Sequence, residues 1–173
     1  MCSLDDEAPN MLGNMTSAGV VDALDVRLLS LLAQEPRIGV LELARRLAVA
    51  RGTVQARLDR LQARGVVRGF GPEIDPGAAG YTVTAFATIE IRQGRGHDVQ
   101  RHLAAIPEVL EVHTITGPGD LLCRVVARSN ANLQAIVDRV VDFEGIVRTS
   151  TVIALSTPVP YRTLPLIEAA AAE

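Results

Sequence analysis

Four arginines recur along one short stretch of the chain, and their side chains could bind a polyanion. They are Arg51, Arg57, Arg60 and Arg64, and Asp59 is the only acidic residue between positions 49 and 65. A guanidinium group stays charged at physiological pH and can hydrogen-bond a phosphate through two parallel N–H groups. The chemistry that this pattern favours is recognition of phosphate groups.

The positive charge is confined to one part of an otherwise acidic chain. Residues 43–70 hold seven arginines and one aspartate, whereas the full 173 residues have a formal net charge of −3. Residues 22–42 hold two arginines against four acidic residues, and residues 71–173 hold eight against twelve. A basic segment in an acidic protein is typical of a nucleic-acid site, although solvated helix faces and partner-binding helices also carry such charge.

Hydrophobic periodicity places these arginines on the last of three short helices. Apolar residues at i, i+4, i+7 and i+8 from Leu24 predict a helix of about 13 residues that ends near Pro36. Similar repeats predict a second helix over 40–47 and a third that stops at Gly65, a residue suited to the left-handed position after a helix. The tight turn over 48–51 then predicts a helix-turn-helix.

In a helix-turn-helix, the second helix of the motif enters the major groove and its first residues face base edges. Arg51, Thr53 and Gln55 are therefore predicted to read sequence. Phosphate contacts position a protein without specifying a site. The residues predicted to make them lie further along this helix and on a β-prone run over 66–70, expected to form a wing: Arg57, Arg60, Arg64 and Arg68.

The second half of the chain predicts a separate α+β domain. Residues 71–80 contain two prolines and three glycines and are expected to form a linker. Beyond them, apolar alternation predicts strands near 83–91, 109–116, 121–127 and 146–155, with one helix ending at Pro107 and another capped by Asn130. The order βαββαβ over residues 81–157 is the ferredoxin-like plan. Residues 1–21 are expected to be flexible, residues 22–70 to form a winged helix-turn-helix, and residues 158–173 to form a tail.

Three motifs occur in an order that identifies a known family. Leu24, Asp25, Leu28 and Leu29 begin the first helix, the recognition helix reads T-V-x-x-R-L-x-R-L over 53–61, and T-G-P-G-D-L-L joins the middle strands over 116–122. Over about residues 22–160 the sequence resembles the Lrp/AsnC family of feast-or-famine transcription regulators. Two features depart from the family pattern. Ala50 stands where a serine or threonine usually caps the recognition helix, and the tail extends past the expected last strand.

The resemblance implies a sequence-specific DNA-binding regulator that dimerises through the sheet of its second domain and assembles into octamers. It also implies a small effector, commonly an amino acid, which binds between dimers and modulates DNA binding or assembly. The glycines of the turn would expose backbone amides, and Asp120 could pair with an α-ammonium group, although the same residues suit an ordinary β-turn. The effector-site residues implied for this chain are Thr116, Gly117, Gly119, Asp120, Thr149, Ser150 and Thr151.

Other function classes have little support in the sequence. Cys2 and Cys123 are far apart and indicate neither a disulfide framework nor a zinc site. The three histidines lack metal-ligand spacing and no serine lies in a nucleophile elbow. We therefore predict no enzymatic activity, no cofactor and no metal. The alternative that remains open is an architectural protein that coats DNA with little sequence preference.

The same sequence predicts a location in the cytoplasm, associated with the nucleoid. No apolar run approaches the ~20 residues that a membrane span requires. The first twenty residues are acidic, whereas a signal peptide begins with basic residues. In the tail, Tyr161 and Leu164 stand near prolines and could clasp a partner subunit, although fraying is the default expectation for a terminus.

Overall fold

The computed structural model describes residues 21–170 and divides them between two units of the chain. One unit consists of residues 21–71 and 161–170, and the other of residues 72–160. The predicted flexible segment, residues 1–21, lies outside the described residues except for Val21. None of the helices within 21–170 is long and apolar enough to cross a membrane.

The first unit contains the three predicted helices, α1 (Ala23–Gln34), α2 (Val40–Leu47) and α3 (Arg51–Ala63). Leu28, Leu43 and Leu61 of these helices are almost completely buried in a shared core. Helix α1 begins at Asp22, whose carboxylate accepts the backbone N–H groups of Leu24 and Asp25, each at 2.9 Å. The periodicity of the sequence therefore identified these helices correctly.

The ends of α2 and α3 are defined by two residues in the left-handed conformation. Ala48 ends α2 with a φ of 55°, which an L-residue rarely adopts. Gly65 follows α3 with a φ of 70°. The Val66 N–H returns to the Leu61 carbonyl at 2.9 Å and the Gly65 N–H to the Gln62 carbonyl at 2.9 Å. This is a Schellman ending, as the glycine predicted.

Two local expectations differ from the structure. The β-prone run over 66–70 has irregular backbone, because residues 21–71 contain no strand with which it could pair. The second domain's last helix is capped by Ser129, and not by Asn130. Ser129 has the extended backbone that a cap needs, and its hydroxyl accepts the Asn132 N–H at 3.1 Å.

The second unit is a four-stranded sheet covered on one face by two helices, which confirms the α+β, ferredoxin-like prediction. Neighbouring strands are antiparallel and their order is β2-β3-β1-β4. Ala85, Ala87 and Ile89 alternate along the central strand and face the helices, where Leu103 and Ile136 bury them. The elements are β1 (Val83–Ile91), α4 (Gly96–Ala104), β2 (Val109–Thr114), β3 (Leu121–Ala127), α5 (Asn130–Val141) and β4 (Ile146–Ala154).

A last helix, α6 (Leu164–Ala170), returns to the first unit and contacts α1. Its first turn contains Pro165, a position where a missing N–H costs nothing. The Thr163 carbonyl accepts the N–H groups of Leu166 and Ile167 at 3.0 and 3.2 Å and so begins the helix.

Candidate DNA interface and effector site

A cluster of ion pairs fixes the recognition helix α3 to α1. Nη1 of Arg57 lies 2.6 Å from a carboxylate oxygen of Asp22 and 2.7 Å from one of Asp25. Nη2 of Arg60 lies 2.6 Å from the other oxygen of Asp25. The Asp25 side chain is only 2% exposed, so the two guanidinium groups compensate a carboxylate that has been removed from water. We call these four residues the α1–α3 clamp.

A second set of pairs neutralises the arginines of α2. Arg45 contacts the Glu42 carboxylate at 2.6 Å, and Arg46 contacts it at 2.8 Å while also pairing with Glu35. With the clamp, all four acidic residues of segment 22–42 are paired with arginines of segment 43–70. The basic segment found in the sequence is therefore partly compensated inside its own unit.

These contacts shift the ionisation of the carboxylates. The hydrogen bond from Arg57, with one from the Asp25 N–H, holds the pKa of Asp22 below its ordinary value. Hydrogen bonds from Arg45 and Arg46 lower the pKa of Glu42 to about 2. Both groups carry their negative charge at neutral pH, and the ion pairs are intact there.

The remaining predicted DNA-binding residues lie on the surface of the unit. Arg51 is the first residue of α3 and Thr53 the third, and both are exposed. No side chain caps this end of the helix, and the Thr53 N–H donates to the Ala50 carbonyl at 3.0 Å. The N–H groups that precede Thr53 are not engaged by a cap, and uncapped N–H groups at a helix start can bind an anion. Gln55 is exposed and donates to Asp59 at 2.8 Å. Arg64 and Arg68 are exposed, as is Arg60 at 45% of its side chain, whereas Arg57 is only 23% exposed.

The clamp is a feature that sequence reasoning did not assign. Asp22 and Asp25 belong to the acidic segment, and Asp25 occurs in the first of the three family motifs, but their partners were not predicted. The sequence carried no clear signal for it, because aspartates are mostly exposed, and burial of Asp25 is seen only in the structure, where the carboxylate has two cationic partners.

In the second unit, the turn between β2 and β3 is attached to the end of β1. The Asp120 N–H donates to the Ile89 carbonyl at 2.9 Å, and its Oδ2 accepts the Ile91 N–H at 2.7 Å. Gly119 has a φ of 117°, and a Cβ at that position would lie 2.4 Å from the Thr88 Cγ2. Glycine is therefore required there by both the backbone and the close approach.

The predicted effector residues do not all face one place. Strand alternation sends Thr149 and Thr151 to the helix-covered face, opposite Ile89 and Ala87, while Ser150 faces the open side opposite Thr88. Thr88 is therefore next to Ser150 on one side and close to Gly119 of the turn on the other. Of the three β4 residues, Ser150 is thus the one on the side of the turn, which contains Thr116, Gly117, Gly119 and Asp120. Three consecutive residues of a strand cannot line one surface, which the sequence motif did not take into account.

A concave groove of about 330 Å³ lies between α5 and β4, on the side reached by Thr151. This volume is within the range of small-molecule sites, which combine apolar walls with a few polar groups. The side chains of Asn130, Gln134 and Thr151 supply polar groups, and no residue of α5 was predicted from the sequence as part of the effector site. The lining residues are Asn130, Leu133, Gln134, Val137, Thr151 and Ile153.

The open face of the sheet combines exposed apolar and charged side chains. Phe86 of β1 is flanked by Val152 of β4, which is 62% exposed, and by Arg124 of β3. Arg124 lies 3.5 Å from Glu111 of β2, and its buried Nε has no hydrogen-bond partner within residues 21–170. An apolar surface with incompletely satisfied polar atoms at its border is typical of a protein–protein interface.

Residues 21–170 contain no group of three or more His, Cys, Asp or Glu side chains arranged to hold a metal ion. Burial of Cys123 on β3 raises the pKa of its thiol to about 11, which disfavours the reactive thiolate at neutral pH.

The comparisons with known proteins agree with this arrangement. Residues 21–68 match the winged helix-turn-helix DNA-binding domain, and residues 84–164 match the Lrp/AsnC ligand binding domain. An uncharacterized HTH-type transcriptional regulator of Pyrococcus abyssi is 34% identical over 137 residues, 79% of this chain and 87% of that protein. The structure of E. coli AsnC is similar with a TM-score of 0.78 and 26% identity, covering 85% of this chain and 100% of that one. The feast or famine regulatory protein of M. tuberculosis, solved in complex with L-methionine, has a TM-score of 0.73 and 30% identity, covering 83% and 97%.

Proposed function

The chain belongs to the Lrp/AsnC family of DNA-binding transcription regulators, and on that premise we propose that it binds specific operators under the control of an amino acid. The observation that carries the proposal is that different parts of α3 have different surroundings. Its first turn presents Arg51 and Thr53 to solvent, while Arg57 anchors the middle of the helix to α1. Sequence-specific recognition requires side chains that reach the bases from a helix whose position is fixed by other contacts.

We assign different tasks to the exposed residues of this unit. Arg51, Thr53 and Gln55 are placed to read base edges, since they occupy the start of the recognition helix. Arg60, Arg64 and Arg68 follow and are placed to contact phosphates, and Arg60 combines this with its pair to Asp25 because 45% of its side chain is exposed. Arg57 serves by orienting the helix, because its guanidinium is already engaged by two carboxylates.

The regulator acts as a homodimer that forms through the open face of the sheet, and dimers assemble further, with the octamer as the expected ring. Support comes from the exposed Phe86 and Val152 and from the unsatisfied Nε of Arg124 at their border. Symmetric dimers bind two half-sites about one helical turn apart. This function places the protein in the cytoplasm, at the nucleoid.

The effector site is proposed at the β2–β3 turn. No hydrogen bond from residues 21–170 reaches Oδ1 of Asp120, so this oxygen can accept an α-ammonium group while Oδ2 holds Ile91. Ser150 is on the same face as the turn's neighbour Thr88 and supplies a hydroxyl. The groove that contains Thr151 and Gln134 is a second candidate position, favoured by its concave shape.

The first experiment measures binding of the purified protein to DNA from upstream of its own gene. Fluorescence anisotropy across a salt series, with and without amino acids, reports affinity, charge dependence and effector response. L-methionine is tested first, because the mycobacterial relative was solved with it. We expect at least about a 10³-fold preference over scrambled DNA of equal length. Equal binding to both sequences would instead indicate the architectural alternative.

Variants of α3 test the assigned roles. We expect Arg51→Ala to weaken operator binding by about 1–3 kcal/mol and to leave binding to scrambled DNA nearly unchanged. We expect Arg60→Ala to weaken binding to both DNAs alike and to reduce the salt slope by about one. Because the variant also removes a partner of Asp25, circular dichroism verifies that the unit stays folded. Gln62→Ala, an exposed position on the same helix, is the control. Equal losses of specificity from Arg51→Ala and Arg60→Ala would contradict the assignment.

Two variants separate the candidate effector positions. Asp120→Asn retains an oxygen for the Ile91 N–H but removes the negative charge, so we expect it to lose the response to L-methionine without losing stability. Thr151→Val removes the hydroxyl in the groove and is expected to retain the response. If Thr151→Val loses the response and Asp120→Asn retains it, the effector site is in the groove. Asp142→Asn, which removes an exposed acid at the end of α5, is the control for the change in net charge.

A further inference from the structure

The C-terminal helix α6 lies on the first helix of the DNA-binding unit. Leu164 and Ile167 are three residues apart, on one side of α6, and are both half-buried, while Leu166 is 70% exposed. The Ser30 hydroxyl of α1 donates to a Glu168 carboxylate oxygen at 3.3 Å. The face of α6 that meets α1 is therefore defined by Leu164, Ile167 and Glu168.

The match to the Lrp/AsnC ligand binding domain ends at residue 164, where α6 begins. Because α6 belongs to the first unit, the chain crosses between the two units twice. The helix is thus a second attachment of the DNA-binding unit to the rest of the chain.

Both crossings start from the same end of the sheet. Thr84, at the start of β1, pairs with Ala154, the last residue of β4. The segment that leads to Thr84 is ordered by a turn in which Asp75 accepts the Gly77 N–H at 2.8 Å and Pro76 accepts the Tyr81 N–H at 2.8 Å. The segment that leaves Ala154 contains Pro158 and Pro160, which limit its backbone freedom.

The attachment of α6 is weak enough to be reversible. A helix of seven residues is unstable in water by itself, so α6 is helical because it is docked. Two half-buried side chains and one exposed hydrogen bond hold it there. Local opening of such a segment costs far less than unfolding of its unit.

We propose that α6 is an intramolecular clasp, which docks on α1 and restrains the movement of the DNA-binding unit relative to the sheet unit. When α6 is docked, two segments of the chain connect the DNA-binding unit to the sheet unit, one before β1 and one after β4. When α6 is released, only the segment before β1 restrains the DNA-binding unit. A restrained pair of DNA-binding units loses less entropy when it binds two half-sites at fixed spacing. The clasp itself is independent of the proposed function, and only its effect on DNA depends on that function.

The decisive experiment measures this restraint without DNA. Spin labels are placed at Gln62→Cys on α3 and Asp142→Cys after α5, with Cys2→Ser and Cys123→Ala, and the labelled protein is diluted with unlabelled protein so that pairs within one chain dominate. We expect Ile167→Asp, which places a charge in the contact with α1, to broaden the distance distribution. Leu166→Asp makes the same change at an exposed position and is expected to leave the width unchanged. Equal widths in the wild type and in both variants would overturn the proposal.

Hydrogen exchange of the unlabelled full chain provides a second readout of docking. Amides of residues 166–170 are expected to be protected in the wild type and in Leu166→Asp, and to exchange at least tenfold faster in Ile167→Asp. Circular dichroism verifies that the other helices persist. Unprotected amides in the wild type would also overturn the clasp.

The consequence for DNA is tested with operators of altered spacing. Inserting five base pairs between the half-sites should weaken wild-type binding by a larger factor than it weakens Ile167→Asp binding, because released units can adapt. If the wild type binds no operator, the proposed function is wrong. The width of the spin-label distance distribution and the hydrogen exchange of residues 166–170 still test whether α6 docks and restrains the DNA-binding unit.

Discussion

Helix α3 and the β2–β3 turn are the two surfaces to which we assign binding, and the molecule positions them by different means. Beyond its packing in the apolar core, the helix is fixed by charged side chains, Asp22 and Asp25 on one side and Arg57 and Arg60 on the other. The turn is held by one backbone hydrogen bond to Ile89, by the Asp120 carboxylate that accepts the Ile91 N–H, and by the close approach of Gly119 to Thr88. In the first region arginine both supports the helix and is assigned to binding, and in the second Asp120 supports the turn through Oδ2 while its Oδ1 is assigned to binding.

This difference explains why the two regions respond differently to substitution. Ion pairs depend on both partners and on pH and salt, whereas a glycine contact depends on the absence of a single carbon atom. The three predictions below test the two kinds of support, beginning with the largest expected effect.

The strongest effect is expected from Gly119→Ala in the turn. Its φ of 117° disfavours any side chain, and the new Cβ would lie 2.4 Å from Thr88. We expect a loss of about 3 kcal/mol in the free energy of unfolding, measured by urea titration, since strain and overlap add. Gly117→Ala is the matched control, with a φ of 112° and no atom near the new Cβ, and should cost about 1–2 kcal/mol. Equal costs would mean that contact with Thr88 does not position the turn.

A smaller loss is expected from Arg57→Ala in the clamp. The variant leaves the buried Asp25 with Arg60 alone and removes the close partner of Asp22. We expect about 2 kcal/mol, below the 3–5 kcal/mol of a fully buried pair, because Arg57 is partly exposed. Arg51→Ala on the same helix should change stability by less than about 0.5 kcal/mol. If Arg57→Ala leaves stability intact but abolishes DNA binding, Arg57 is a phosphate contact and not an anchor.

The smallest effect is expected on acidification of the clamp. Arg57 lowers the pKa of Asp22 in the folded state, so the folded carboxylate releases its proton more readily than the unfolded one. The resulting stability is complete above the ordinary value of 3.8 and is lost as the pH falls through the lower folded pKa. Asp22→Asn should therefore show a flatter decline in unfolding free energy below about pH 4 than the wild type, and 1 M salt should reduce the difference. If the unfolding free energies of the wild type and Asp22→Asn fall in parallel with pH, the ion pair of Asp22 does not contribute to the pH dependence of stability.

Regular patterns in the sequence were sufficient for much of the fold. The apolar spacing of 24–32 and the strand alternation after residue 83 correspond to α1 and β1, and Gly65 marked the end of α3. These features arise from local backbone geometry and from burial of one face of an element. Boundaries set by single hydrogen bonds were less predictable, and the cap of α5 moved from Asn130 to Ser129.

The candidate sites were only partly accessible to such reasoning. The motif T-G-P-G-D marked the turn, but the pairing that gives Ser150 and Thr151 opposite faces required the register of β4 against β1. Likewise, the tail appeared to be a frayed terminus or a clasp for a partner subunit, and α6 instead contacts α1 of its own unit. The apolar residues of a seven-residue helix such as α6 do not identify the element against which the helix packs.

The sequence by itself determined helices α1 to α5, strands β1 to β4, the family, and the excess of nine arginines over five acidic residues in segment 22–70. Helical and strand periods are local properties, and charges can be counted along a chain. Only the tertiary structure decided which arginines are engaged by carboxylates and how far each is exposed. Arg57 and Asp25 are 32 residues apart in the chain and 2.7 Å apart in space, and ion pairing at that separation depends on how α1 packs against α3.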